Sequence, residues 1–300
     1  LLTPLVLFVY NRPWHTRQTV EALQKNELAS ESDLFIFSDG IKRAEHAEAV
    51  REVRDYIHSI DGFKSVTITE RDKNFGLSRS IIAGVNEIIN RFGKAIVLED
   101  DLVTSPYFLR YMNDALTLYQ DESQVASIHG YVYPIKDVVP ETFFIKGADC
   151  WGWGTWKRAW DIFEADGNKL LQEIYDKQLA KEFDFGGTYP YTKMLQDQIA
   201  GNNDSWAIRW YASAFLRHML TLYPAKSLVK NIGLDSSGTH CGESTQFSGE
   251  MSSLPLGVAK ITISENISAR EAFSMYFKSQ KSFLRRLAHK VMLLMKVDAL

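Results

Sequence analysis

The sequence is short of cysteine, of net charge and of long apolar runs. Its two cysteines, Cys150 and Cys241, stand far apart, which argues against a disulfide framework and fits a reducing, cytoplasmic compartment. The formal net charge is -3, so no overall field favours nucleic acid as a partner. No uninterrupted apolar stretch reaches the ~20 residues needed to cross a bilayer. The chain opens Leu1-Leu2-Thr3-Pro4, and the apolar run that follows is short with no basic stretch ahead of it, so no signal peptide is expected there. Internal repeats and low-complexity segments are lacking too. What remains is a globular balance, 45% hydrophobic and 24% charged over 300 residues, enough for one large domain or two small ones.

The first 120 residues alternate between two periodicities. Leu5–Tyr10, Leu34–Phe37, Val66–Thr69 and Ala95–Leu98 are short apolar or β-branched runs, expected as strands. Between them lie helical patterns: Trp14–Lys25 behind Pro13, about 44–59, a stretch with Ile81, Ile82, Val85, Ile88 and Ile89 at helical spacing, and about 106–119. Strand and helix repeated four times predict a parallel sheet with right-handed crossovers and helices on both faces. Ligands of such sheets bind beyond the carboxyl ends of the strands. Here those ends carry Asn11-Arg12, Ser38-Asp39, Arg71 with Asn74, and Glu99-Asp100-Asp101. Gathered on one rim, they make a polar crevice of mixed charge suited to a nucleotide diphosphate and a metal. The triplet is the focus, because three adjacent carboxylates at a strand end repel one another unless a cation is close; the plainer alternative is a solvated acidic turn.

The second half changes character. Val125–Val132, Thr142–Ile145 and Leu220–Tyr223 are expected as strands, and about 157–164, 169–183, 192–199 and 206–219 as helices. Trp151, Trp153, Trp156 and Trp160 crowd one segment, and 231–241 is a loop rich in glycine and hydroxyls. No linker separates the halves, so 1–265 is expected as one domain, with 1–120 its nucleotide half and 121–265 its acceptor half. In 266–300, Phe283, Leu284, Leu287, Val291, Leu294 and Met295 alternate with Lys281, Arg285, Arg286, Lys290 and Lys296. That is a basic amphipathic helix, suited through 280–300 to peripheral contact with an anionic membrane face or to docking on the body or a second subunit.

These residues together resemble a GT-A glycosyltransferase. A first strand ending near Arg12, a second ending in Asp39, and a fourth ending in Glu99-Asp100-Asp101 at the place of that fold's Asp-X-Asp motif carry the likeness. Leu102 and Pro106-Tyr107-Phe108 sharpen it toward the N-acetylglucosaminyltransferase I type, as do Trp151–Trp156 and Asn203-Asp204-Ser205-Trp206 with Arg209 after it. The likeness covers about residues 4 to 245. It departs where that family has two adjacent acids before the later tryptophan and this chain has Asp204-Ser205.

The resemblance implies a Rossmann-like GT-A fold, α/β with a mostly parallel sheet and helices on both faces, and an acceptor-side half, to which the sequence pattern adds the C-terminal basic amphipathic helix. It implies a metal-dependent inverting transfer of a sugar, such as N-acetylglucosamine, from a UDP-sugar to a saccharide acceptor; the cytoplasmic style and the basic tail suggest a lipid-linked glycan or surface-polysaccharide precursor as that acceptor. Asp101 is then the direct metal ligand, Asp100 reaches ribose hydroxyls or metal-bound water, and Glu99 orients the loop. Asp39 accepts from the imide of the base, unless it is simply the turn residue before Gly40. Arg12, Arg71 and Asn74 serve phosphate or ribose. His240 would be a second ligand, favouring Mn2+ over Mg2+, with Ser236, Ser237 and Thr239 beside it. Asp204 is the general base, with Glu243 and Asp197 in reserve and helix capping as its plainer role. Trp153, with Trp151 and Trp156, stacks on a sugar or walls the site, with core packing as the plainer role for about half of them, and Trp160 is expected in the core. His15 and His129 have no partners that argue for chemistry. Two rival classes keep the nucleotide: a nucleotidyltransferase that builds a sugar nucleotide, and a non-catalytic nucleotide-sugar-binding protein.

Overall fold

The computed structural model describes residues 1–235, 247 and 249–280. The first half runs β1 (Leu5–Val9), α1 (Pro13–Gln24), β2 (Asp33–Ser38), α2 (Ala47–Ile57), β3 (Ser65–Glu70), α3 (Leu77–Phe92), β4 (Lys94–Glu99), β5 (Leu102–Thr104) and α4 (Phe108–Leu118). The second half continues β6 (Val125–His129), β7 (Thr142–Lys146), β8 (Trp153–Trp156), α5 (Lys157–Trp160), α6 (Gly167–Asp176), α7 (Ala180–Phe183), α8 (Tyr191–Ile199), α9 (Trp206–Leu216), β9 (Leu220–Pro224) and β10 (Val229–Asn231). A last helix occupies 267–280.

Eight strands form one sheet in the order β3-β2-β1-β4-β8-β6-β9-β7. As expected, β1 to β4 run parallel. β8 is inserted antiparallel between β4 and β6, so β6 and its parallel neighbour β9 point the same way as β4. The carboxyl ends of β1–β4, β6 and β9 therefore share one edge. Every residue of β1, β6, β8 and β9 is buried. Successive side chains point to opposite faces of a strand, so both faces of the sheet centre are covered, as a continuous apolar strand requires. Chain order reverses between β1 and β4, since β2 and β3 lie on one side of β1 and β4 on the other. A crevice opens at such a switch point.

Three features depart from the expected elements. β8 was not legible as a strand. The helix expected over 169–183 breaks into α6 and α7 at Gln178, which takes a left-handed φ of 57°. β5 and β10 pair in a separate two-stranded ribbon. That ribbon positions the site: it folds residues 229–235 back over the turn that follows β4, where Ile232 N donates to Asp101 O at 2.9 Å.

The 267–280 helix, assigned by the sequence to the tail, packs Ala269, Ala272, Phe273 and Phe277 into the interior. Phe273 meets Tyr133 at 5.0 Å and Tyr223 at 5.5 Å between ring centroids. Just before the helix, Asn266 N donates to Phe144 O at 2.8 Å and Glu265 accepts from Lys146 N at 2.9 Å, which covers the outer edge of β7. Residues 281–300, with the basic amphipathic pattern, lie outside the described residues. Among the described residues no helix is long and apolar enough to cross a membrane.

Candidate active site

The crevice between β1 and β4 holds a cavity of about 320 Å3. Its floor is the end of β1, where only Tyr10, Asn11 and Arg12 separate the strand from α1. Pro13 starts that helix at its first position, where a missing N–H costs nothing. Thr16 N and Thr16 Oγ1 both donate to Arg12 O at 2.9 Å, which fixes the Arg12 backbone at the mouth of the crevice.

Arg12 turns onto the acids at the end of β4. Its Nη1 lies 2.8 Å from Asp101 Oδ2 and 3.7 Å from Asp100 Oδ1, and Nη2 lies 3.9 Å from Asp235 Oδ1. His15 Nε2 holds the other oxygen of Asp235 at 3.0 Å, so this histidine does have a partner. One guanidinium does not neutralise three neighbouring carboxylates. Burial and repulsion from Asp101 and Asp100 push Glu99 up to about 8, against the pull of Arg12. Burial and Asp101 push Asp100 up to about 7. Gly233 closes this corner: a Cβ on it would meet Asp101 Oδ2 and the Arg12 guanidinium, so a larger residue would displace the ends of those two side chains.

The opposite wall comes from the ends of β2 and β3. Asp39 Oδ1 accepts from Gly40 N at 2.9 Å and Phe75 N at 2.8 Å, and Oδ2 accepts from Gly76 N at 2.9 Å. Asn74 Nδ2 donates to Gly40 O at 2.7 Å. Asp39 is thus the anchor of the 74–76 loop, and any contact with a base would use its remaining lone pairs. Tyr10 and Lys42 also line this wall; Lys42 N donates to the Tyr10 hydroxyl at 2.9 Å. The starts of two helices face the cavity, α1 through Asn11 and Arg12 and α3 through Gly76 and Leu77, and neither first turn carries an acid. Helix N-termini of that kind attract anions.

Two expected site residues lie elsewhere. Arg71 is 9% exposed and sits beneath the loop. It donates to Ser80 Oγ and, at 3.2 Å, to Ser80 O, and its guanidinium lies 4.4 Å from the Phe75 ring. It props the wall and does not itself line the cavity. Trp153 is 1% exposed and packs on Trp206 at 5.3 Å and Trp160 at 5.5 Å; it is core. Trp151 lines the cavity in its place. Gly152 between them has a φ of 61°, a left-handed turn that breaks the strand alternation and swings Trp151 away from the face of Trp153.

Asp204 stands at the rim, its side chain 60% exposed and 4.0 Å from Arg209 Nη2. It is not the cap of α9; Ser205 Oγ fills that role toward Ile208 N at 3.2 Å. Asp197 is tied to Lys193 and, at 3.2 Å, to Asn202, and does not line the cavity. Ser236, Ser237, Thr239, His240 and Glu243 lie outside the described residues. Sequence reasoning passed over Tyr10, Lys42, Asn231 and Gly233 as cavity walls. For Tyr10 the signal was present, one residue before Asn11; for the others it lies only in the β5–β10 pairing and the turn after β2. Among the described residues, no group of three or more His, Cys, Asp and Glu side chains is arranged to hold a metal ion.

No protein-family model matches the sequence, and no curated protein matches it. Solved structures show remote likenesses. The mannosyltransferase PcManGT of Pyrobaculum calidifontis, in complex with GDP-Man and Mn2+, is 11% identical over 44% of this chain and 35% of its own, with a TM-score of 0.31. S. aureus TarS 1-349 is 10% identical over 76% of this chain and 60% of its own, at a TM-score of 0.42. The same fragment in complex with UDP is 10% identical over 60% and 49%, at 0.35. The chain thus spans 60% or less of each of these. Likeness this remote leaves the functional argument to the site itself.

Proposed function

We propose that this chain is a glycosyltransferase of GT-A type that moves a sugar from a nucleoside diphosphate sugar, UDP-linked by the resemblance, to a saccharide or lipid-linked acceptor with inversion. One observation carries the reading. Polar ends of parallel strands converge on a single cavity that holds an acid corner (Glu99, Asp100, Asp101) with Arg12 turned onto it, and the N-termini of two helices. A diphosphate needs donors and dipoles of the second kind. Acids beside it are tolerable only with a divalent cation between.

The chemistry of the donor set fits such a cation. Mg2+ and Mn2+ are commonly held by one or two carboxylates, with phosphate oxygens and waters completing the shell. Asp101 and Asp100 would supply the hard oxygens; burial first, and then repulsion from the neighbouring acids, raises the proton affinity of Asp100 and Glu99 against the pull of Arg12, a cost that a bound cation would offset. When bound, the ion supplies charge stabilisation for the departing nucleoside diphosphate. Arg12 adds a fixed donor to the same oxygens. Asp39 and Asn74 hold the loop against which the base would lie. Asp204, exposed at the rim and released from capping, takes the proton from the attacking hydroxyl. Work on surface-glycan precursors at a membrane face, through the basic segment 280–300, belongs to the same reading.

The nucleotidyltransferase alternative is disfavoured by the β1–α1 connection. Those enzymes cradle phosphate in a glycine-rich basic loop, and here Tyr10-Asn11-Arg12 contains no glycine. The test is a UDP-sugar panel read by mass spectrometry with Mn2+, wild type beside Asp101→Ala. Transfer or donor hydrolysis by wild type, and its loss in the variant, is expected. Equal turnover by both would remove the acid corner from the mechanism. UDP binding with no turnover of any donor would favour the non-catalytic alternative.

A further inference from the structure

The loop 147–152, between β7 and β8, carries a carboxylate that the reaction above leaves unused. Asp149 is half-buried. Its Oδ2 accepts from the hydroxyls of Tyr133 at 3.1 Å and Tyr223 at 3.3 Å, and its Oδ1 from Cys150 N at 2.9 Å. These partners are all neutral.

The loop is held at both ends. Gly147 N donates to Met219 O at 2.9 Å and Thr221 Oγ1 to Gly147 O at 2.7 Å. Gly130 N donates to Gly152 O at 2.7 Å and Trp151 N to His129 Nε2 at 3.0 Å. His129 is fully buried, and its Nδ1 has no hydrogen-bond partner among the described residues. Because β8 runs against β4, the loop reaches the same sheet edge as the acid triplet. Cys150 records this proximity: burial, then Asp149, Glu99 and Asp101, all push its thiol up. Trp151, the next residue, is in the cavity wall and meets Tyr131 edge-on at 4.7 Å. Beyond Asp149 lie Tyr191, whose hydroxyl is 3.5 Å from that of Tyr133, and Tyr189, 4.5 Å from Tyr191 between centroids.

A fixed, half-buried carboxylate held by the hydroxyls of Tyr133 and Tyr223, two residues from the indole in the cavity wall, suits a sugar. The apolar C–H face of a pyranose packs on aromatic rings, and its hydroxyls donate to a carboxylate. It does not suit an anion, which would meet the Asp149 carboxylate with only neutral groups bonded to it. We propose that Asp149 and Trp151 form the acceptor subsite and that the group bound there is an uncharged saccharide unit with free hydroxyls, not a phosphorylated one. The word acceptor rests on the transferase reading; the sugar binding does not.

The experiment is saturation-transfer NMR on the full chain with methyl glycosides of glucose, galactose, mannose and N-acetylglucosamine and with their phosphorylated counterparts. At least one neutral glycoside should bind wild type, and Asp149→Asn should weaken it about tenfold, the loss expected on removing a charged hydrogen-bond acceptor. UDP affinity and the unfolding midpoint should stay at the wild-type values. Trp151→Leu should weaken the same glycoside, which keeps the test open if the first variant folds poorly. No binding of any neutral glycoside, preference for the phosphorylated forms, or unchanged binding by both variants would overturn the proposal. So would a parallel drop of UDP affinity and midpoint in Asp149→Asn, the mark of a merely structural residue. Saccharide binding without transfer from any donor would instead sink the transferase reading and leave this one standing. Transfer by wild type with an unchanged acceptor KM in Asp149→Asn would do the reverse.

Discussion

Raising the pH of the metal-free protein from 5 to 8 should destabilise it through the acid corner. Glu99 is pushed up to about 8 from an ordinary value of 4.5, and Asp100 to about 7 from 3.8. Between those limits the native state holds protons that the unfolded chain has released, so stability falls as pH rises. The penalty is absent below about pH 4 and fully developed above about pH 8. A tenfold difference in proton affinity between the folded and unfolded chain is worth about 1.4 kcal/mol. Because the acids share one repulsion, the pair together is worth on the order of 5 kcal/mol, less than the sum of the two. His129 acts in the opposite direction, since burial lowers its affinity for protons, and stability gains as pH rises through the low end of the window. The difference between wild type and Glu99→Gln isolates the acid corner. In chelator, the variant should unfold at a similar temperature at pH 5 and on the order of 5 °C higher at pH 8. Stabilisation by Mn2+ should grow over the same window, because binding requires ionised carboxylates and displaces their protons. An identical pH dependence of unfolding in the two proteins would refute the electrostatic account of the triplet.

Gly233→Ala should abolish nucleoside diphosphate binding while leaving the unfolding midpoint within a few degrees, because the new Cβ would strike Asp101 Oδ2; calorimetry showing wild-type UDP affinity would contradict this. Asp39→Ala removes the acceptor of three backbone N–H groups. It should lower stability by about 3 kcal/mol and weaken UDP binding together, and an unchanged urea midpoint would show that the loop needs no anchor. Trp153→Ala should cost about 3–5 kcal/mol by opening a core cavity with donor affinity of the folded fraction unchanged; a selective loss of donor binding would return Trp153 to the site.

The first half was legible because its burial is simple. β1 and β4 are covered on both faces and read as unbroken apolar runs, and parallel order follows from helices long enough to cross over. Once the strands are parallel, their ends must share an edge, so the sequence places Arg12, Asp39, Asn74 and the acid triplet in one region without coordinates. Burial of a single side chain is a different kind of fact. Arg71 follows a strand end as Arg12 does, yet Ser80, nine residues on, captures its donors, and nothing in the spelling of either arginine distinguishes them. Trp153-Gly154-Thr155-Trp156 has no alternation to announce a strand, because β4 and β6 supply both its edges and the surrounding layers bury both its faces. The tryptophan exchange is the sharpest instance. Residues 151 and 153 would share a face in any regular strand, and only the left-handed Gly152 separates them. One residue of the core and one of the cavity wall are thus set by a single backbone angle. Replacing Gly152 by alanine, whose Cβ would also press on Val229 of β10, should therefore move Trp151 out of the wall and cost saccharide binding, a loss that Asp149→Asn cannot imitate through charge; wild-type saccharide binding by this variant would refute the assignment.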